Sequence, residues 1–206
     1  MPADAEAAER LMEWLSTESG GLDVIGLDLS GADLSGADFS ESWFTETTLV
    51  NTRLVGAEFY RADLQGADLT GADASNARFI RTNLDHAVLR HAVLDGAEFG
   101  RADLYGVDAT RASCRGTRFM GASLLNVDFR GADLSHAVLR ENSFKVRVDH
   151  DTVLTGLTGS LFGPVEFVEE RCSRTLAGSE LEGWIRERGG EAQVLEARRP
   201  RGKPEG

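Results

Sequence analysis

One apolar or small residue recurs at every fifth position over more than half of this chain. From Leu29 to Phe144 the recurring residue is Leu, Phe, Ala or Cys at 24 consecutive positions, without an insertion. An α-helix repeats about every 3.6 residues and a flat strand every second residue, so neither keeps a period of five on one side. A coil that turns a corner every five residues does. The period therefore predicts an all-β solenoid whose recurring residues fill the interior.

Phenylalanine adds a second period of twenty residues to the first. The residues concerned are Phe39, Phe59, Phe79, Phe99 and Phe119. Stacking these rings in one interior column requires four repeats in each coil. Glycine is frequent two positions after the recurring centre, as at Gly31 and Gly66, where a tight turn favours it. The sequence therefore predicts a four-sided coil.

The order of residue types within each repeat resembles the pentapeptide-repeat family. A small residue, usually Ala, is followed by Asp or Asn and then by Leu or Phe, as in GADLSGADF, over about 125 of the 206 residues. The resemblance implies a right-handed quadrilateral β-helix with four pentapeptides per coil. It also implies a binding protein, because the topoisomerase-protecting, quinolone-resistance members of the family are acidic dimeric rods.

The residues that precede the repeats, 1–20, predict a helix that caps the first coil, because a solenoid leaves apolar ends that must be covered. The apolar residues expected on one side of this helix are Ala8, Leu11, Met12 and Leu15, with Trp14 near the edge. A helix lying on a membrane surface is the alternative. Its polar face is acidic, however, and anionic lipid would repel it.

The repeats, predicted over 21–157, weaken toward their end. Asp149 stands where a centre is expected, although Leu154 returns in phase. Residues 158–197 predict a strand, then a helix that is opened by a capping box of Ser179 and Glu182, then a second strand.

This C-terminal module has two alternative roles. It either covers the last coil or joins two chains into a homodimer through Leu181, Trp184 and Ile185. The remaining residues, 198–206, are basic and rich in Pro and Gly, which predicts a disordered tail.

Catalytic, metal and membrane functions are disfavoured by the sequence. The four histidines, His86, His91, His136 and His150, lack the spacing of a ligand set, and no nucleotide-binding or nucleophile motif is present. We therefore expect no enzyme activity and no cofactor. Neither a membrane span nor a signal sequence is visible, and the two cysteines are far apart, so we expect a cytoplasmic protein.

Aspartates form two adjacent acidic columns in the predicted solenoid. The candidate partner-binding residues of these columns are Asp28, Asp68, Asp108 and Asp128 on one side, and Asp33, Asp73 and Asp133 on the next. The net charge of −12 disfavours direct binding to nucleic acid but suits a protein that imitates DNA. Alternatively, each Asp bonds only to the backbone of its own coil.

The side that carries the phenylalanines offers a second candidate surface. Its outward residues mix arginine with apolar side chains, as protein interfaces often do: Tyr60, Arg61, Ile80, Arg81, Arg101 and Met120. Arginines on this side could instead pair with Glu58 and Glu98 across coils. Two functions therefore stay open: a DNA mimic that modulates or protects a type II topoisomerase such as DNA gyrase, and a general interaction scaffold that uses the arginine side.

Overall fold

Parallel pairing between residues twenty positions apart organises the computed structural model, which describes residues 1–17, 20–170 and 172–195. Asp23 pairs with Trp43, and Trp43 pairs with Asp63 in the next coil. A step of twenty residues means four pentapeptides per coil, which confirms the period predicted from phenylalanine. The fold is a right-handed quadrilateral β-helix with a helix at its N-terminal end and a small α/β module at its C-terminal end.

Most sides of the coil are too short to form extended strands, so the longer elements lie in the second half of the chain. The elements are α1 (Ala5–Thr17), β1 (Glu98–Gly100), β2 (Arg118–Met120), β3 (Ser123–Asp128), β4 (Val138–Val148), β5 (Thr158–Phe162), β6 (Val165–Val168), β7 (Ser173–Leu176), α2 (Gly178–Glu187) and β8 (Glu191–Val194). Strands β1, β2, β4, β5 and β8 follow one another across the sheet.

The interior holds both recurring positions of the repeat. The central residues and the small residues two positions before them are buried, as Ala57 and Phe59 illustrate. The phenylalanine rings stack in one column, with centroids 5.3 Å apart between Phe39 and Phe59 and 5.0 Å apart between Phe59 and Phe79. Burying one such side chain contributes about 1.5–3 kcal/mol to the free energy of unfolding, so this column is a main source of stability.

Several repeats carry a hydroxyl residue in place of the small buried alanine, and most of these hydroxyls form a hydrogen bond with the preceding coil. Thr82 donates a hydrogen bond of 2.6 Å to the carbonyl of Phe59, and Thr117 donates one of 2.8 Å to that of Leu94. Because a buried polar group without a partner costs stability, these bonds explain why threonine replaces alanine there.

The corners of the coil adopt the left-handed backbone conformation. Gly66 has φ 67°, as the turn prediction requires, but His86 and Arg101 hold the same conformation at φ 61° and 55°. The corner amide also joins neighbouring coils, since the Gly66 N–H donates to the Asp85 carbonyl at 2.9 Å. The corners therefore keep the same backbone conformation even where the residue is not glycine.

The regular register of twenty first breaks within β4, and this break explains Asp149. Strand β4 pairs with β3 at a step of twenty up to Lys145, and then at a step of nineteen, so that Val146 stands opposite Val127. Val148 rather than Asp149 consequently takes the buried central place. The Asp149 Oδ1 atom accepts the Gly131 N–H at 2.9 Å, which replaces the carbonyl that usually serves a corner amide.

Helix α1 buries only part of the side predicted for it. Ala7 and Leu11 are buried and Trp14 is half-buried, whereas Met12 and Leu15 are exposed. The predicted side was therefore right for Leu11, right in part for the half-buried Ala8, and wrong for Met12 and Leu15. Trp14 also stacks on Phe39, at the end of the phenylalanine column.

The C-terminal module continues the ladder beyond residue 157. Strand β5 pairs with β4, β6 pairs with the end of β4, and β8 pairs in parallel with β5. Strand β7, which the sequence analysis missed, forms an antiparallel hairpin with β6. The capping box was also wrong: α2 begins at Gly178 without a side-chain cap, and the Glu182 carboxylate accepts the Val194 N–H at 2.9 Å.

The three residues proposed as a dimer contact are buried inside this one chain. Leu181 and Ile185 are 0% and 2% exposed, and Trp184 packs edge-on against Phe167 with centroids 5.7 Å apart. Because these side chains belong to the chain's own core, they offer no free surface to a second copy. Of the two roles left open for the module, the structure favours covering the last coil.

The tail predicted over 198–206 lies outside the described residues. Within the ranges that the structure describes, no helix is long and apolar enough to cross a membrane.

Candidate partner-binding faces

The aspartates of the repeat close turns within their own coil. Oδ1 of Asp28 accepts the Ser30 N–H at 2.8 Å, and Oδ1 of Asp68 accepts the Thr70 N–H at 2.9 Å. Such side-chain turns mimic a backbone turn. The turn occupies one carboxylate oxygen, so the aspartates have a structural role that still leaves Oδ2 for other contacts.

Arginines neutralise the acidic columns in the second half of the rod. Oδ2 of Asp108 lies 2.7 Å from Arg90 Nη2, and Oδ2 of Asp133 lies 2.6 Å from Arg115 Nε. Asp128 is only 8% exposed. It contacts Arg130 at 2.8 Å and Arg147 at 3.0 Å. These three carboxylates are therefore engaged within the chain.

The pKa values of the engaged carboxylates reflect the same contacts. Burial alone would raise the pKa of Asp108, but hydrogen bonds from Thr110 and Arg90 outweigh it and hold the pKa below its usual value. The pKa of Asp133 is likewise lowered, because hydrogen bonds from Ser135 and Arg115 overcome the effect of burial. Both groups stay ionised well into the acid range.

The first coils keep their negative charge. Asp28, Asp68 and Asp73 form no ion pair within the described ranges, and Asp33 has only an exposed contact of 3.5 Å with Arg53. A hydrogen bond from Ser30 lowers the pKa of Asp28, and one from Ser35 lowers that of Asp33.

The amino-acid composition follows the same division. Residues 1–80 contain 15 Asp and Glu against 4 Lys and Arg, whereas residues 81–206 contain 19 against 18. The acidic field is therefore concentrated at one end of the rod and is not spread along the two full columns that the repeat predicts.

Across the phenylalanine side, charged residues alternate from coil to coil. Arg78 lies 3.0 Å from Glu58 and 3.5 Å from Glu98, and Arg118 lies 3.9 Å from Glu98. This ladder is the pairing of arginine with Glu58 and Glu98 across coils, the alternative to partner binding that the sequence left open. Exposed pairs of this kind are worth about 0–1 kcal/mol each, so the ladder orders side chains more than it stabilises the fold.

The other residues of this side differ in their ion pairing and in their exposure. Arg61 pairs with Glu41 at 3.8 Å and lies over the Tyr60 ring. Arg81 and Arg101 are exposed at corners and form no ion pair in the part of the chain that is described. Ile80 and Met120 are half-buried. The structure thus brings the six predicted residues to one side but leaves only part of them available.

Three of the four histidines lie at corners of the coil. His86, His91 and His136 occupy left-handed corners at φ 61°, 56° and 59°. Among residues 1–17, 20–170 and 172–195, no group of three or more His, Cys, Asp or Glu side chains is arranged to hold a metal ion.

The family model for pentapeptide repeats matches this chain in eight copies, over residues 21–49, 37–73, 75–108 and 102–140. Among solved structures, a pentapeptide repeat protein (Rfr23) from the cyanobacterium Cyanothece 51142 is similar at 23% identity over 71% of this chain and 97% of its own, with a TM-score of 0.37.

Two further solved structures are similar over a smaller share of the chain. A pentapeptide repeat protein of the Arabidopsis thaliana thylakoid lumen is 34% identical over 44% of this chain and 66% of its own, with a TM-score of 0.28. QnrB1, a plasmid-mediated fluoroquinolone resistance protein, is 20% identical over 64% and 82%, with a TM-score of 0.32. No curated protein sequence matches the chain.

Proposed function

The chain belongs to the pentapeptide-repeat family, and we propose that it is a non-enzymatic binding protein whose acidic first coils imitate the charge of DNA. The proposed partner is a type II topoisomerase such as DNA gyrase, which the protein would modulate or protect from inhibitors. A surface that binds DNA must offer cations to the phosphates, and a rod with fixed carboxylates competes for the same cations.

The observation that carries this proposal is the unpaired state of Asp28, Asp68 and Asp73 among the described residues. Asp68 and Asp73 lie on adjacent sides of one coil, and Asp28 lies two coils away, at about 4.8 Å per coil. In each turn a backbone N–H donates to Oδ1, so these carboxylates are already ordered in the unbound protein. Because ordered groups lose little conformational entropy on binding, these carboxylates are suited to a charged interface.

A competition experiment tests the proposal. Purified gyrase is bound to a fluorescent DNA duplex, and the protein is titrated while anisotropy is recorded. We expect displacement of the duplex that weakens as salt is raised, and that is lost in the triple variant Asp28→Asn, Asp68→Asn, Asp73→Asn. Asn keeps an oxygen acceptor for each turn, so the fold should be retained. Failure of the wild-type protein to displace DNA at low salt would contradict the proposal.

The arginine side supports a second candidate function, a general interaction scaffold unrelated to DNA enzymes. The favouring observation is that Arg81 and Arg101 are exposed and unpaired in the described ranges, beside the half-buried Ile80. Arginine with neighbouring apolar surface is typical of interface centres. This function predicts that Arg81→Ser with Arg101→Ser abolishes partner binding and that supercoiling by gyrase is unaffected by the wild-type protein.

A further inference from the structure

The apolar flank of α1 that the first coil does not cover has no partner within the described residues. Met12 and Leu15 are each 58% exposed, although Ala7 and Leu11 on the neighbouring side are buried. Residues three apart lie together on a helix surface, so Met12 and Leu15 form one flank. Met12 and Leu15 therefore form a small exposed apolar surface beside the first coil.

Leu15 also lines an open groove between α1 and the first coils. The groove has a volume of about 450 Å³, and its lining residues are Trp14, Leu15, Gly20, Gly21, Asp38, Ser40 and Glu41. The Asp38 carboxylate is held in a turn by Ser40. Glu41 has an exposed contact of 3.8 Å with Arg61. The groove therefore joins two apolar side chains to two solvent-accessible carboxylates.

We propose that this groove binds a basic segment of a partner protein in which an apolar side chain lies beside Lys or Arg. The apolar side chain would pack on Leu15 and Trp14, and the cation would approach Asp38 and Glu41. Charge complementarity supports this occupant, because residues 1–80 contain 15 acidic residues against 4 basic ones.

A second copy of the chain fits the groove less well. Joining two N-terminal ends would bring carboxylates against carboxylates, which disfavours a symmetric dimer there. The basic residues 198–206 of another copy match the charge, but they include no large apolar side chain that could cover Leu15. The test must therefore distinguish binding of that tail from binding of a partner protein.

The test uses three short helical peptides and the full-length protein. One peptide is amphipathic with Leu and Lys, one replaces Leu by Ser, and one replaces Lys by Glu. We expect the Leu/Lys peptide to bind, the Ser/Lys peptide to bind about tenfold more weakly, and the Leu/Glu peptide not to bind, as measured by fluorescence anisotropy. Replacing Leu15→Ser should weaken binding of the Leu/Lys peptide about tenfold.

Leu125→Ser is the matched control, because Leu125 is an exposed apolar residue elsewhere on the rod. It should leave peptide binding unchanged. Equal binding of the Leu/Lys and Ser/Lys peptides, or equal weakening by Leu125→Ser, would overturn the proposal by showing that only the general acidic field attracts the peptide.

Sedimentation velocity tests whether a second copy of the chain occupies the groove instead. Self-association that disappears both on deletion of residues 196–206 and in Leu15→Ser would overturn the proposal in favour of a second copy. A wild-type protein that is itself monomeric supports the proposal. The groove contains none of Asp28, Asp68 and Asp73, so this proposal and the DNA-mimic proposal can fail separately.

Discussion

The indole ring of Trp14 stacks on the ring of Phe39, with centroids 5.3 Å apart and planes inclined by 26°. The phenylalanine column continues from Phe39 with similar spacings, 4.9 Å between Phe79 and Phe99 and 5.2 Å between Phe99 and Phe119. These spacings follow the distance of about 4.8 Å between paired strands. Helix α1 thus supplies the terminal ring of an aromatic stack that the repeats build.

We predict that Trp14→Ala lowers the free energy of unfolding by about 1–3 kcal/mol, because it removes the ring that covers Phe39. Urea unfolding followed by circular dichroism measures the change. Trp43→Ala is the control of equal size, since Trp43 is 49% exposed on the side of the rod, and it should cost less than about 1 kcal/mol. Equal losses in the two variants would show that α1 does not cap the stack.

The sequence determines the interior of the solenoid but not its exceptions. The period of five identifies buried residues because every repeat places its centre and its preceding small residue inward, as Ala57 and Phe59 show. The register shift before Val146 could not be predicted, because the order of residue types does not reveal how the Gly131 N–H is satisfied. The Asp149 side chain accepts it in place of a backbone carbonyl. The exposure of Met12 and Leu15 could not be predicted either, because the amphipathic pattern of α1 does not reveal that Ala7 is the buried neighbour of Leu11.

The sequence predicts which columns the aspartates occupy, but not which of these aspartates form ion pairs. The repeat places Asp28 and Asp108 in the same column. The contact that neutralises Asp108 comes from Arg90, eighteen residues earlier, and depends on the geometry of adjacent coils. Counting charges in each half of the chain would have indicated the acidic end, and this signal is available from the sequence.

A second prediction concerns the irregular coil. Asp149→Ala should lower the free energy of unfolding by about 1–3 kcal/mol, because the Gly131 N–H and the Thr152 N–H both lose their acceptor. Asp151→Ala removes a neighbouring exposed carboxylate and should change stability by less than about 0.5 kcal/mol. Chemical unfolding of both variants checks this. A similar, small effect of the two substitutions would contradict the role given to Asp149.

A third prediction concerns stability in acid. The pKa values of Asp108 and Asp133 are lowered in the folded protein, so the unfolded chain binds protons at higher pH than the folded one. Their contribution is therefore complete above the unfolded value of about 3.9 and is lost as the pH falls through the lower folded value.

Replacing Arg90→Gln and Arg115→Gln removes charged partners and should make the folded pKa values less depressed. The double variant should consequently lose less stability than the wild type between about pH 6 and about pH 3, as measured by urea unfolding. Parallel pH dependence of the two proteins would contradict the importance of these ion pairs.

DNA mimicry by the first coils can be tested in a gyrase supercoiling assay, with and without a fluoroquinolone, in which the wild-type protein is compared with two variants. The first is Asp28→Asn, Asp68→Asn, Asp73→Asn. The second removes the same charge from exposed residues of the other half, through Glu141→Gln, Asp151→Asn and Glu187→Gln. We predict that the wild type and the second variant alter supercoiling or protect it from the drug, and that the first variant does neither. An absence of any wild-type effect, or equal losses in both variants, would contradict DNA mimicry by the first coils.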